Sequence, residues 1–182
     1  MAKAINIGDR ILRDDGDFKT RSLDTEEEYI YTTFHQEEIL TFSEVATIEN
    51  YKYYQPLSEN FPSFDSIHAP KSLFQMTTSL NHPIKMNGLK KVHDKLTRSN
   101  VDFYFVVPME LFYIFKSQRF VTSKKKEPKN IPPWFGRIKQ YVLGIDLSSK
   151  SSLARSSSTA SIEIGVSSIG ILSTTEDTDM DD

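Results

Sequence analysis

The chain contains no cysteine, which excludes disulfide staples and every zinc site built on thiolates. That absence says little about compartment, because a secreted protein can also lack cysteine. No run of about eighteen apolar residues occurs, so no membrane-spanning helix is expected. Met1 to Leu12 lacks an apolar run long enough for a signal peptide. Also missing are a G-x-x-x-x-G-K-S/T phosphate loop and the patterns G-x-G-x-x-G, G-x-S-x-G and H-E-x-x-H. No internal repeat is visible. The four histidines, His35, His68, His82 and His93, show no close ligand pairing, and His93 reads as a structural residue on a helix face.

What is present is charge, sorted along the chain. The 182 residues carry a net charge of −3. Residues 1–65 hold 6 Lys/Arg against 14 Asp/Glu, residues 66–150 hold 15 against 5, and residues 151–182 hold 1 against 6. A central segment at +10 thus lies between segments at −8 and −5. One reading is a basic face; the other is mutual neutralisation of neighbouring segments.

At this length one domain is expected, alone or with a tail. Lys3 to Leu12 offers Ile5, Ile7, Ile11 and Leu12 as one face of a helix end. Asp14-Asp15-Gly16-Asp17 is a turn signal, since Gly tolerates positive φ and Asp bonds its own backbone. A short strand follows from Phe18 to Leu23, Glu26 to Glu28 reads as a solvated loop, and Tyr29–Phe34 and Glu38–Val45 are β-prone. Strands are predicted over Tyr51–Pro56, Phe61–Ile67 and Leu73–Thr78, the last closed by Asn81-His82-Pro83. Leu89, Val92, His93 and Leu96 stand at i, i+3, i+4 and i+7, which predicts an amphipathic helix with a basic outer face. The apolar run Asp102–Val107, between Asn100 and Pro108, predicts a buried central strand. Met109–Phe120 is predicted as a second helix carrying Leu111, Phe112, Phe115 and Arg119, with Pro108 suited to its first turn. A loop over Lys124–Pro133 and a last strand over Ile138–Leu147 complete an α/β core. After Leu147 the composition turns Ser-rich and then acidic, which predicts a disordered tail over 148–182. Its apolar islands, Ile162–Val166 and Ile169–Leu172, are background composition or a strand for a partner's sheet edge.

The stretch with chemical content is Asn60 to Ile67 followed by Leu73 to Ser79. Asp65 ends one predicted strand, and Gln75 and Thr77 share one face of the next. In metal-dependent nucleases with a D…(D/E)-x-K core, two acids in this layout hold Mg²⁺ near the scissile phosphate and the lysine stabilises charge. Here Gln75 and Thr77 stand where that pattern has an acid and a lysine. An amide ligates Mg²⁺ more weakly than a carboxylate, and threonine brings no positive charge. Asp65 is thus the one metal ligand the sequence places, unless Glu44, Glu49 or Lys71 moves in; it is equally served by a capping or solvent-facing role. Lys124-Lys125-Lys126-Glu127-Pro128-Lys129 reads as a nuclear import signal, a phosphate-binding loop or plain solvated surface. Phe120, Trp134 and Phe135 nearby are candidates for stacking on bases or for core packing, with Trp134, after Pro132-Pro133, placed in a loop.

The string from Tyr53-Tyr54-Gln55-Pro56 through Asn60-Phe61-Pro62 and Asp65-Ser66-Ile67 to Leu73-Phe74-Gln75-Met76-Thr77 and His82-Pro83 resembles Crinkler-type effectors and retrotransposon hot spot proteins. Val106-Val107-Pro108, Lys139-Gln140-Tyr141-Val142-Leu143 and, more loosely, Asp15 to Leu23 fit the same pattern, so the resemblance covers about residues 8–147. It implies a restriction-endonuclease-like C-terminal domain, here without the ATPase or ubiquitin-like header that precedes it. The chain begins after the helix that would carry the first acid of the fold, as in a truncated paralogue or a fragment. The resemblance also implies export to a host cell and action in its nucleus, although no export signal is visible.

The expectation is therefore a restriction-endonuclease-like α/β domain over 1–147, with a central mixed sheet flanked by helices, and the tail over 148–182. The expected function is a degenerate nuclease fold that binds nucleic acid through Lys85, Lys90, Lys91, Lys95, Lys124, Lys125 and Lys126. The alternatives are an active Mg²⁺-dependent endonuclease using Asp65, Gln75 and Thr77, or an effector that binds a host protein.

Overall fold

Strand-forming and helix-forming stretches alternate along the central segment, and the chain resolves them into a large sheet with little helix. The computed structural model describes residues 16–25, 30–34 and 38–146, all within the part of the chain that ends at Leu147. The predicted helix end at Lys3–Leu12, the loop Glu26–Glu28 and the tail over 148–182 with its apolar islands lie outside the described residues.

The strands are β1 (Gly16–Ser22), β2 (Ile30–Phe34), β3 (Ile39–Phe42), β4 (Tyr53–Pro56), β5 (Ser66–His68), β6 (Ser72–Met76), β7 (Ile84–Lys85), β8 (Val101–Pro108), β9 (Phe120–Val121) and β10 (Ile138–Ile145). Eight of them form one mixed sheet in the order β2-β1-β10-β8-β6-β5-β4-β3, and β7 pairs with β9 in a separate parallel ribbon. The centre is parallel: β8 runs with β6 on one side and β10 on the other, in the registers Phe74↔Tyr104 and Tyr104↔Tyr141. Antiparallel pairing of β1 with β10 and of β5 with β6 extends the sheet outward.

Parallel neighbours need crossovers. The link from β6 to β8 carries β7, α1 (Met86–Val92) and a 3₁₀ turn (His93–Lys95); the link from β8 to β10 carries α2 (Met109–Phe112), β9 and a 3₁₀ helix (Pro133–Arg137). Alternation along β8 sends Phe103, Phe105 and Val107 to one face of the sheet and Tyr104 and Val106 to the other. The first face packs on Leu89 and Val92 of α1 and on Phe112, Phe115 and Phe135. Phe64, Phe103, Phe105 and Phe112 are fully buried there, and truncating any one to Ala costs about 3–5 kcal/mol. The second face gathers Tyr53, Phe74, Tyr104, Leu143 and Ile145. Among the described residues no helix contributes to that second cluster, so the helices seen lie on one face rather than on both.

Two element expectations change and one holds. The strand predicted over Phe61–Ile67 shortens to Ser66–His68, because Pro62 lacks an N–H and Ser63 takes a left-handed conformation with φ 89°. The helix predicted over Met109–Phe120 ends at Phe112. The Nη2 of Arg21 donates to the carbonyls of Phe112 and Phe115, 2.9 Å each, taking acceptors that further helical turns would use. The chain then runs without regular structure to Gln118, whose N–H and C=O pair with the side-chain amide of Gln140. The Asn87–Leu96 helix is present as α1 and its 3₁₀ extension, with Leu89 and Val92 buried as their spacing predicts.

Candidate functional site

Asp65 and Gln75 lie ten residues apart and meet because β5 and β6 form a tight antiparallel pair. Asp65 sits just before β5, its backbone N–H held by the carbonyl of Phe74 at 2.8 Å. Its Oδ2 accepts from the backbone N–H of Met76 at 2.7 Å and from Nε2 of Gln75 at 2.8 Å. Burial raises the Asp65 carboxyl above the ordinary aspartate value, and the Met76 N–H and nearby His82 oppose that rise. A carboxylate capped in this way serves as a joint between two strands.

Thr77 lies past the end of β6, with its N–H on the carbonyl of Val106 at 3.0 Å. Its Oγ1 is 3.2 Å from Nδ1 of His82 and caps the N–H of Ser79 at 3.0 Å. The N–H of His82 donates to Oε1 of Gln118 at 2.7 Å, which fastens the loop before β7 to the chain leading into β9. Burial holds the His82 imidazole below the ordinary histidine value; Asp65 pulls against this and Lys85 adds to it. Gln118 carries no signal in the sequence, and His82 enters it as a strand end and a part of the resemblance string, since a lone histidine before a proline has no ligand spacing.

Two adjoining cavities open at this corner. The first, of about 170 Å³, is lined by Phe61, Ser63, Gln75, His82 and Lys85 among others. The second, of about 320 Å³, is lined by Asn81, His82, Pro83, Lys85, Arg119, Val121 and Lys125. Asp65 lines neither of them; Gln75 is the β6 residue that faces the first.

The seven lysines named from sequence divide. Lys85 lines both cavities and Lys125 the second. Lys90 and Lys91 are exposed on α1, and Nζ of Lys91 lies 5.5 Å from the centre of the Phe61 ring. Lys124 and Lys126 are exposed in the turn that closes Thr122 onto Lys126. Lys95 does not belong with them: its Nζ donates to the carbonyls of Ala46 and Ile48, at 2.8 and 2.7 Å. The aromatics proposed for base stacking are also packed. The half-buried Trp134 ring lies 4.1 Å from Phe135 and 4.6 Å from His93, and Phe120 lies 5.0 Å from the buried Phe135. Trp134 belongs to the Pro133–Arg137 3₁₀ helix rather than to an open loop.

Among the described residues no group of three His, Asp or Glu side chains is close enough to hold a metal ion. Gln75 gives its amide N–H to Asp65, which ties that carboxylate to β6 instead of pairing it with a second acid. The residues present do not fit the ion that the resemblance implies. No protein-family model, no curated protein and no solved structure matches the chain.

Proposed function

We propose that this domain binds nucleic acid through a basic surface, on a nuclease-related fold whose catalytic centre has lapsed. The observation that carries the reading is a group of cations without ion pairs around two adjoining cavities, with Glu59 on the wall of the first. Lys91 lies over Phe61, Phe61 and Lys85 line the first cavity, and Lys85, Arg119 and Lys125 line the second. Lys90, Lys124 and Lys126 stand exposed beside members of that group in the sequence. None of these side chains has an acidic partner among the described residues, where the ion pairs are Lys52–Glu49, Lys71–Asp102 and His93–Asp94. Cations without acidic partners can neutralise backbone phosphates and release the counterions condensed on them.

The reading of the fold as restriction-endonuclease-like, and of the chain as Crinkler-like, rests on the sequence string around Asp65 and is part of this proposal. Action in a host nucleus belongs to the same proposal, with Lys124–Lys126 available to an import receptor. The test is binding of single- and double-stranded DNA and RNA across a salt series, run beside a cleavage assay with Mg²⁺ or Mn²⁺ on the wild type and Asp65→Ala. Affinity that falls steeply with salt, without cleavage, is the expected result. No binding at low salt would refute the reading, and metal-dependent cleavage lost in Asp65→Ala would replace it with a working endonuclease.

A further inference from the structure

The geometry points to the second cavity as a pocket for a phosphomonoester, the terminal phosphate of a single nucleic-acid strand or that of a free nucleotide. This assignment deepens the nucleic-acid reading above and rests on it for the strand.

Three cations line that cavity, one from β7 and two from the segment around β9. Lys85 ends β7, Arg119 immediately precedes β9, and Lys125 follows β9 in a turn. Their backbone placement is set by regular bonds. The β7–β9 ribbon pairs Lys85 with Val121, and the N–H of Ile84 donates to the carbonyl of Arg119 at 3.0 Å. Lys125 takes a left-handed conformation, φ 58°, and its N–H donates to the carbonyl of Thr122 at 2.9 Å. No Asp or Glu lines the cavity, and none of the three cations forms an ion pair among the described residues.

The count of charges selects the ligand. A phosphodiester carries one negative charge; a monoester carries about −1.5 to −2 at pH 7 and three terminal oxygens. Three cations around one small cavity match the monoester, and the planar guanidinium of Arg119 can hold two of its oxygens at once. His82 lines the same cavity, with its Nδ1 held 3.2 Å from Oγ1 of Thr77. Size restricts the rest of the ligand. At about 320 Å³ the cavity lies at the small end of ligand pockets, with room for a phosphate, a sugar and part of a base but not a duplex. Pro83 and Val121 supply an apolar wall for the sugar.

The experiment compares one single-stranded oligonucleotide with a 5′-phosphate, a 3′-phosphate or hydroxyl ends, and adenosine monophosphate by itself, on the full chain. The variants are Arg119→Gln and Lys125→Gln, with thermal unfolding as the check on folding; Arg119 and Lys125 are exposed, so the core is left alone. A phosphorylated end is expected to bind about tenfold tighter than hydroxyl ends, from one or two charge-assisted hydrogen bonds. Each variant should bring that ratio close to one, while hydroxyl-ended strands weaken only by the one backbone contact that the same cation supplies. Equal affinity for all three strands in the wild type, with binding intact, would overturn the pocket and leave the nucleic-acid reading standing. Binding of the mononucleotide alone, lost in Arg119→Gln, would keep the pocket as a nucleotide site and overturn the strand reading. Binding of neither strand nor mononucleotide would overturn both.

Discussion

At the scale of single residues, the corner around Asp65 makes polar groups serve as joints, and its titration has a definite sign. Burial places the folded-state value of His82 below the ordinary 6.5. The unfolded chain then takes up the proton first as pH falls. The stability contributed by neutral His82 is complete above 6.5 and is lost as pH falls through the depressed folded value. Facing groups are Asp65, whose charge opposes the depression, Lys85, which adds to it, and the non-titrating Thr77 and Gln118. Urea unfolding from pH 7.5 down to 5 should show the wild type losing more stability than His82→Gln. Parallel curves would mean that the imidazole is not held neutral by the fold. Lys95 makes a second residue-scale case. Lys95→Met removes both bonds to the carbonyls of Ala46 and Ile48 and should cost about 1–3 kcal/mol in denaturant unfolding. The salt dependence of nucleic-acid binding should stay unchanged, because this lysine is tied to backbone.

Among the elements, α1 shows how local preference and tertiary fit diverge. Its apolar spacing is legible in the sequence, and Leu89 and Val92 are buried accordingly. Gly88 in its middle is unfavourable for a helix by about 1 kcal/mol against alanine. The reason lies outside the helix: a Cβ there would stand 1.8 Å from the carbonyl oxygen of Pro62 and 2.4 Å from Oγ of Ser63. Ser63 in turn donates its hydroxyl to the carbonyl of Lys85, so the segment before Asp65 is clamped onto the start of α1. Gly88→Ala is therefore expected to destabilise by about 1–3 kcal/mol, as overpacking does, measured by thermal or urea unfolding. A gain of stability would show that the Pro62 segment shifts aside at little cost. The shortened α2 teaches the same lesson. Residues 109–120 have helical spacing, yet Arg21 and Gln140, from distant strands, take over the backbone groups of Phe112, Phe115 and Gln118.

Across the whole molecule, charge sorted in the sequence becomes charge placed on a surface. Binding to phosphate backbones loses affinity with log salt at a slope of about −0.7 to −0.9 per contact. Replacing Lys90, Lys91, Lys124 and Lys126 together by Gln should make that slope shallower by up to about 3. All four are exposed, and each exposed substitution is worth within about 0.5 kcal/mol of stability. An unaltered slope would locate the electrostatic contact elsewhere on the domain.

Sequence periodicity by itself determined where the central strand runs, that its neighbours are parallel or mixed, and which face of α1 is buried, because these follow from burial of apolar side chains at fixed spacing. Asp65 and Gln75 were grouped by the nuclease layout, with Asp65 at a strand end; the fold puts Asp65 just before β5, and the β5–β6 pairing brings it to Gln75. Their relation was open until the fold set it. Whether Gln75 substitutes for a metal ligand or caps Asp65 depends on the direction of one amide, which the Met76 N–H and the β5–β6 register decide. The basic cavity was equally beyond the sequence. Lys85 is far in the chain from Arg119 and Lys125, which flank β9, and only the β7–β9 pairing brings it to the cavity they line.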